Sequence, residues 1–328
     1  MPESRVLFDD VTLFYDVESK ECKELVEKAI KKNGFAPEHN YDYFISHKSD
    51  EMIPIFVDFG NDCGLFAVEW DDNSYQIISE IIAPKEERAE LAMKFFDIVL
   101  NRLNAKKILV EFPPELRKEL LKKSKTTKIK LGAVTNHFYT PMISITNWDP
   151  TLEGSKFSNL RKAKNRFFRS FKVEILKKDE LLSVDIKEFE RIINDWKKGR
   201  KSSDKAYTDD YIEFFRNKFK GSACHIGLKL NGKLCGVSAG WAVPGTSGKT
   251  VYYAINLHDY SVQELGDFLT LLFFDELKAE GFENLDFGSS DERLLAYKKK
   301  FGISSQYDTL VFYVKLDKEN NISRSDSQ

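Results

Sequence analysis

The residues of this chain with the clearest chemical potential gather between positions 251 and 302. Gln263, Glu264, Leu265, Gly266, Asp267 and Phe268 form a loop between a strand-like run and an apolar run of helical period. A glycine at such a junction lets backbone N–H groups and the positive end of a helix dipole face an anionic ligand, above all a pyrophosphate. Just before the loop, Tyr253 and Asn256 are polar on an otherwise apolar strand-like run, and they are expected to line a cleft. Asp286 alternates with Leu285 and Phe287, so its carboxylate points opposite to their side chains and is expected to face the same cleft.

A second cluster precedes this one. Seven Lys or Arg residues and no Asp or Glu fall between Ser155 and Val173. Helical spacing puts Arg161 with Asn165 on one face and Lys162, Arg166 and Arg169 together on another, and with Lys164 these residues offer several donors to a phosphate-bearing ligand. A solvated surface helix is the plainer reading of the same run. Trp196 and Arg200 offer an aromatic face and a forked donor suited to a polar substrate, although a tryptophan at the end of an amphipathic helix is as readily a core residue. His225 and His258 have no carboxylate or cysteine at a useful spacing, and are read as ordinary surface or core histidines. Redox and phosphoryl-transfer chemistry drop out, because no Ser-His-Asp order, HExxH, Walker loop or dinucleotide fingerprint occurs.

The elements that must position these residues can be read coarsely. Residues 223–230 and 234–243 are two strand-like runs joined by Asn231 and Gly232, a pair suited to a type I′ hairpin. A strand at 251–257, a helix at 266–280 stopped by Gly281, a short strand at 283–288 and a helix at 292–301 follow. In the first half, Ser19 caps a helix running to Asn33 with Gly34 as its stop. Strands are expected at 54–59, 65–70 and 75–82, then a helix at 85–104, a strand at 107–112, a helix opened by Pro113 and Pro114, and a strand at 137–145. The turn-rich segment 147–154 reads as a boundary.

The order of strands, glycine loop, helix, strand and helix resembles the second half of the acetyltransferase fold called GNAT. In that fold a loop of the form Arg/Gln-x-x-Gly-x-Gly/Ala holds the coenzyme A pyrophosphate. Gln263 and Gly266 match, and Phe268 stands where the family carries Gly or Ala. The run Leu285-Asp286-Phe287-Gly288-Ser289-Ser290, followed by Tyr297-Lys298-Lys299-Lys300-Phe301-Gly302, is similar to a signature of Fem-type transferases and of the C-terminal module of phosphatidylglycerol lysyltransferases. That likeness covers roughly residues 150–315. It implies transfer of an acyl group from acyl-CoA, or of an aminoacyl group from aminoacyl-tRNA, to an amine or hydroxyl acceptor. It also implies that Lys298 lies near the transfer centre, that Ser289 touches substrate, and that backbone N–H groups at 255–257 face the oxyanion. Acyl transfer needs such an oxyanion site together with a proton route to the leaving group.

Proteins of this group carry two GNAT-like units in tandem, and the first half meets that demand. Residues 77–111 lie on 254–288 without a gap, with Leu91, Phe95 and Phe96 on Phe268, Leu272 and Phe273. Repetition of this kind changes the whole fold reading. The expected architecture is α/β (α+β): two tandem GNAT-like lobes, each a mixed, mostly antiparallel sheet flanked by helices. The lobes are placed at 1–148 and 149–318, with a disordered tail at 319–328. Ala89 replaces Gly266 in the first lobe, beside the acidic residues Glu86 and Glu87, so that lobe is expected to hold no phosphate.

Composition agrees with two folded domains: 328 residues, 42% hydrophobic, with 26 Phe and 13 Tyr. Fifty Lys and Arg against 52 Asp and Glu leave a net charge of −2, so any electrostatic attraction of a polyanion must be local. No run approaches ~18 apolar residues, the N-terminus lacks a signal-peptide form, and four scattered cysteines fit reduced thiols rather than disulfides or a metal site. The chain is therefore expected to be cytoplasmic and to bind no metal, with peripheral membrane contact open and a small-molecule, lipid or peptide amine as acceptor. A GNAT-fold binding module for a phosphate-bearing ligand, without turnover, is the alternative.

Overall fold

The computed structural model describes residues 4–45, 48, 51–199 and 208–317. They form two compact units, one built from the chain up to Tyr139 and again from Asp308 onward, the other from Thr140 to Tyr307. The expected boundary at 147–154 thus falls inside the second unit. The reason is that the segment before it is a strand of that unit's sheet rather than a linker.

In the first unit, β1 (Arg5–Phe8) and β2 (Val11–Phe14) lead to α1 (Lys20–Asn33). Ser19 Oγ accepts the Cys22 N–H at 3.3 Å, and the Gly34 N–H closes the last turn on the Ile30 carbonyl, as the capping pattern predicts. Then follow α2 (Tyr41–Ile45), β3 (Met52–Gly60), β4 (Cys63–Trp70), β5 (Ser74–Ile77), α3 (Arg88–Asp97), β6 (Ile108–Phe112), α4 (Pro114–Ser124) and β7 (Ile129–Ser144). The expected helix at 85–104 is shorter, since α3 passes into a π-type turn at Ile98–Arg102. The strands lie in the order β1-β2-β3-β4-β5-β6, and only β5 and β6 run parallel. One face packs Phe44, Phe56 and Phe66 under α1 and α2, and the other packs Phe95, Phe96 and Phe112 under α3 and α4. Cover on both faces is why β4 reads as a nearly continuous apolar run.

The second unit takes the last residues of β7 and continues with α5 (Ser158–Ser170), β8 (Val173–Lys177), α6 (Lys178–Leu182), α7 (Ile186–Gly199), α8 (Thr208–Arg216), β9 (Cys224–Leu230), β10 (Lys233–Ala242), β11 (Thr250–His258), α9 (Leu265–Ala279), β12 (Asn284–Asp286), α10 (Glu292–Lys298) and the first residues of β13 (Ser305–Leu316), which from Asp308 onward belongs to the first unit and pairs with β6. The order is β7-β12-β11-β10-β9-β8, with β11 and β12 the parallel pair. Helices α5 and α9 share one core with Tyr253 and Phe287. Helix α7 packs on the opposite face, against Val237, Ile255 and Leu257.

Two features of this sheet position the site. The pairing of β11 with β12 ends at Tyr252↔Asp286, although β11 runs on to His258. Beyond that pair β12 ends and the two strands part, so the rest of β11 has no β12 residue beside it. The second feature is a β-bulge: β10 pairs Ala239 with Ile255 and Gly240 with Tyr253, so Ala254 has no opposite residue. An extra residue reverses the in-out alternation beyond it. Val251 and Tyr253 face α9, whereas past the bulge it is Asn256 and His258 that meet α9 while Ile255 and Leu257 turn to α7.

The same succession recurs in the first unit. Adding 177 to Arg88, where α3 begins, gives Leu265, where α9 begins. The β5–β6 parallel pairing is likewise short, covering only Tyr75↔Ile108 and Gln76↔Leu109.

Candidate active site

Asp286, the last residue of β12, is 2% exposed and sits where β11 and β12 part. Its Oδ1 accepts the Gly288 N–H at 3.0 Å and its Oδ2 accepts the Tyr307 hydroxyl at 2.7 Å. Burial pushes its carboxyl above the ordinary range, opposed by those two hydrogen bonds and by Lys298. Gly288 has φ +76°, a conformation that turns the chain sharply away from β12 and is cheap only for glycine.

Lys298 ends α10 and is 8% exposed. Its ammonium donates to the Phe287 carbonyl and, at 2.9 Å, to the Gly288 carbonyl, and lies 4.9 Å from the centre of the Phe287 ring. Burial lowers its pKa from 10.5 to about 8, with Asp286 pulling the other way. An ammonium has three N–H donors and two are committed, so one is left for a ligand oxygen. Helix α10 is fixed for this purpose by Asp291, whose carboxylate accepts the Leu294 N–H at 2.7 Å.

Around this pair, Ser289 Oγ lies 3.4 Å from Thr140 Oγ1 on β7, and the buried Ser290 hydroxyl donates to the Gly288 carbonyl. Tyr253 is buried between Phe273 and Phe287, its hydroxyl 2.8 Å from Ser238 Oγ. Burial raises the Tyr253 phenol above its ordinary range, so it acts as a neutral hydrogen-bonding group. Asn256 donates from Nδ2 to Thr270 Oγ1 at 3.0 Å. The sequence-derived residues Lys298, Asp286, Ser289 and Tyr253 therefore share one neighbourhood. Tyr307, Thr140 and Ser238 belong to it as well. They carry no sequence signal, since each is a lone hydroxyl brought in by a strand distant in the chain.

The glycine loop is closed rather than open. A Cβ on Gly266 would stand 2.6 Å from His258 Cε1, so the glycine is required by the approach of an imidazole. Phe268 is fully buried and stacks on Phe167 of α5, with ring centres 4.4 Å apart. Leu265 is also buried. Asp267, in the first turn of α9, accepts the Tyr297 hydroxyl and pairs with Lys300, each at 2.6 Å. Glu264 adopts φ +62° and pairs with Arg166 at 2.7 Å, while Arg166 also donates to the Gln263 carbonyl. Two carboxylates thus flank the helix start where a pyrophosphate would need N–H donors.

Much of the basic helix α5 is spent internally. Arg161 donates to the carbonyls of Leu152 and Gly154, tying down the turn before α5. Lys164 pairs with Asp275 at 2.7 Å and donates to the Pro150 carbonyl. Lys162 and Arg169 stay exposed on the outer face. Trp196 is 4% exposed in the α7 core, with its ring against Tyr211, which is the core reading of that tryptophan. Arg200 and the tail at 319–328 lie outside the described residues. In the first unit the counterpart of the glycine loop is filled by Arg88, which lies over the Phe35 ring at 3.5 Å and 3.8 Å from Glu80. Burial pushes Glu80 up to about 7.

Residues 141–303 match the family described as phosphatidylglycerol lysyltransferase, C-terminal. The match spans nearly all of the second unit. The chain is accordingly a transferase that moves an acyl or aminoacyl group. The fold is shared with the C-terminal domain of a lysylphosphatidylglycerol synthetase from Agrobacterium fabrum, at 15% identity and TM-score 0.60, over 90% of this chain and 92% of that one. It is shared also with L-PGS from Bacillus licheniformis, at 12% identity and TM-score 0.63, over 91% and 93%. A tandem GNAT protein from the clavulanic acid biosynthesis pathway matches at 9% identity and TM-score 0.52, over 90% and 93%. Among curated proteins none matches the chain in sequence. Among the described residues no helix is long and apolar enough to cross a membrane.

Proposed function

We propose that the second unit transfers an aminoacyl group from the ester at the 3′ end of an aminoacyl-tRNA to a hydroxyl or amine acceptor, of which the phosphatidylglycerol headgroup named in the family description is the leading case. The observation that carries this reading is the burial of Asp286 and Lys298, electrostatically coupled though not in direct contact, at the point where β11 and β12 part. The acceptor's lone pair attacks the ester carbonyl, the bond to the ribose oxygen breaks, and the acceptor's proton ends on that oxygen. During attack negative charge grows on the carbonyl oxygen. The free N–H of the Lys298 ammonium and the unpaired edge of β11 at 255–257 are the donors for it. Asp286, with both oxygens engaged, holds the Gly288 turn and keeps Lys298 cationic.

The closed glycine loop favours an ester donor over a coenzyme A thioester, because His258, Asp267 and Glu264 occupy the ground a pyrophosphate would take. A second reading, transfer from acyl-CoA, rests on the likeness to the tandem GNAT protein, whose description mentions AcCoA. Thermal-shift measurements with coenzyme A, acyl-CoA and a charged tRNA separate the two, because a ligand that binds only the folded state raises apparent stability. Stabilisation by charged tRNA alone, weakening steeply with salt, with aminoacyl transfer to phosphatidylglycerol vesicles, supports the ester donor. Stabilisation by coenzyme A alone sinks it.

A further inference from the structure

Attack on an ester needs a group that takes the acceptor's proton as the new bond forms, and a route by which that proton reaches the leaving ribose oxygen. Around the point where β11 and β12 part, the structure gathers Lys298, Asp286 and a set of hydroxyls from Thr140, Ser238, Tyr253, Ser289, Ser290 and Tyr307. Asp286 is the one anion among them. At 2% exposure it lies too deep to meet an acceptor itself. Its Oδ1 is taken by the Gly288 N–H, and its Oδ2 accepts the Tyr307 hydroxyl at 2.7 Å. Tyr307, in contrast, is 40% exposed, so its side chain spans from the buried carboxylate to the surface.

The phenol is placed there by the strand beside β12. Asp286 pairs with Met142 of β7, and the chain entering β13 is pinned to that same residue, because Ser304 donates to the Met142 carbonyl from its N–H and its hydroxyl, at 2.8 and 2.9 Å. Tyr307 follows three residues on and reaches across β7, in the strand order β13-β7-β12. Lys298 does not compete with it, since its ammonium is bonded to the Phe287 and Gly288 carbonyls rather than to the carboxylate. A carboxylate clamped by a cation is a poor base, whereas burial against a neutral donor raises its affinity for a proton.

We infer that Tyr307 and Asp286 are the proton relay of the transfer step, with the phenol touching the acceptor and the carboxylate acting as the base behind it. As the acceptor oxygen or nitrogen bonds to the ester carbonyl carbon, its proton passes to the Tyr307 oxygen while the phenol's own proton passes to Asp286 Oδ2. When the bond to the ribose oxygen breaks, Asp286 returns its proton to the phenol and the phenol gives one to that oxygen. Tyr307 stays neutral throughout, and Asp286 is protonated only between the two steps. The relay rests on the transfer reading above and supplies the base which that reading lacks.

Single-turnover transfer from aminoacyl-tRNA to phosphatidylglycerol vesicles by the full chain, in mixtures of H2O and D2O, tests it. Two protons moving together make the rate fall along a curve as deuterium content rises, and one proton makes it fall along a straight line. The unmutated chain is expected to give the curve, a readout that does not depend on whether any variant folds. Tyr307→Phe is expected to be slower by about 100-fold or more, the usual contribution of general acid–base catalysis, with a straight line and an unchanged affinity for charged tRNA. Adding Asp286→Asn to Tyr307→Phe should slow transfer no further than the slower single change, because the two residues act as a unit. A role confined to stability would leave the curve in place in Tyr307→Phe. That result, a straight line for the unmutated chain, or a Tyr307→Phe rate close to the unmutated one overturns the relay and leaves the transferase reading standing. Absence of transfer by the unmutated chain from every donor removes the transferase reading and the relay with it.

Discussion

At the scale of single residues, the site depends on burying charge beside a compensating partner. Lys298 is expected to work as a cation, so Lys298→Met should lower transfer by about 100-fold or more, the usual effect of losing one oxyanion donor. Single-turnover rates at saturating donor measure it. Because the Lys298 pKa is held at about 8, transfer by the unmutated chain should fall as pH rises through that value. Stability should move the other way. Between about 8 and 10.5 the unfolded chain binds the extra proton, so the cost of the buried ammonium, a few kcal/mol at most at ~1.4 kcal/mol per pKa unit, is relieved as pH rises. Urea unfolding of the unmutated chain and of Lys298→Met across pH 7–10 should show this slope only in the former. Tyr307→Phe removes the donor from Asp286 Oδ2. It should cost ~1–3 kcal/mol in the same assay, and a change within error would mean that the buried carboxylate does not need the phenol.

At the scale of elements, the bulge and the β11–β12 divergence matter more than any one side chain. Gly240 lies opposite the bulge, and a Cβ there would overlap the Tyr252 carbonyl oxygen. Gly240→Ala should therefore destabilise by ~1–3 kcal/mol, as overpacking against backbone does. Gly266 makes a subtler case. Alanine would gain up to ~1 kcal/mol of helix propensity, yet its Cβ would press on His258 at 2.6 Å. Gly266→Ala is expected to destabilise, and combining it with His258→Ala should recover most of the loss, giving a coupling of ~1–2 kcal/mol in a double-mutant cycle. Additive effects would show that the glycine is not there for the imidazole. Periodicity made the strands and helices of this region legible, because their burial follows periods of 2 and 3.6. The bulge leaves no mark of its own in a run of apolar side chains, and only the likeness to GNAT proteins pointed to 255–257, the residues just past it. Strands β1, β2, β8 and β13 also escaped, being short or half-polar edges.

At the scale of the whole molecule, the chain does not divide at its turn-rich segment. The last part of β7 belongs to the second unit, where it pairs with β12 through Ile143↔Leu285 and Met142↔Asp286, and where the Phe287 N–H binds the Pro141 carbonyl. A fragment starting at residue 149 would expose that edge of β12 and uncover the core around Leu285 and Phe287. It is expected to aggregate or to lack dispersed amide resonances, whereas a fragment of 140–307 should be the better folded. Equal folding of the two would make the Asn147 turn a true boundary. The first unit keeps the GNAT-like succession of elements while filling the loop with Arg88.

The sequence alone determined the kind of fold and the neighbourhood of the chemistry. Hydrophobic period, caps and glycines are local signals, and the run from Asp286 to Lys298 is compact enough to be seen without coordinates. Tertiary structure decided how the charges are spent. Whether Arg161, Lys164 and Arg166 meet a ligand or a neighbouring carbonyl or carboxylate, and whether Trp196 lines a cleft or fills a core, depends on which distant elements fold against them. The same holds for Gly266, whose missing side chain makes room for an imidazole eight residues away rather than for a phosphate. A glycine records only that something comes close, and the fold supplies what that something is.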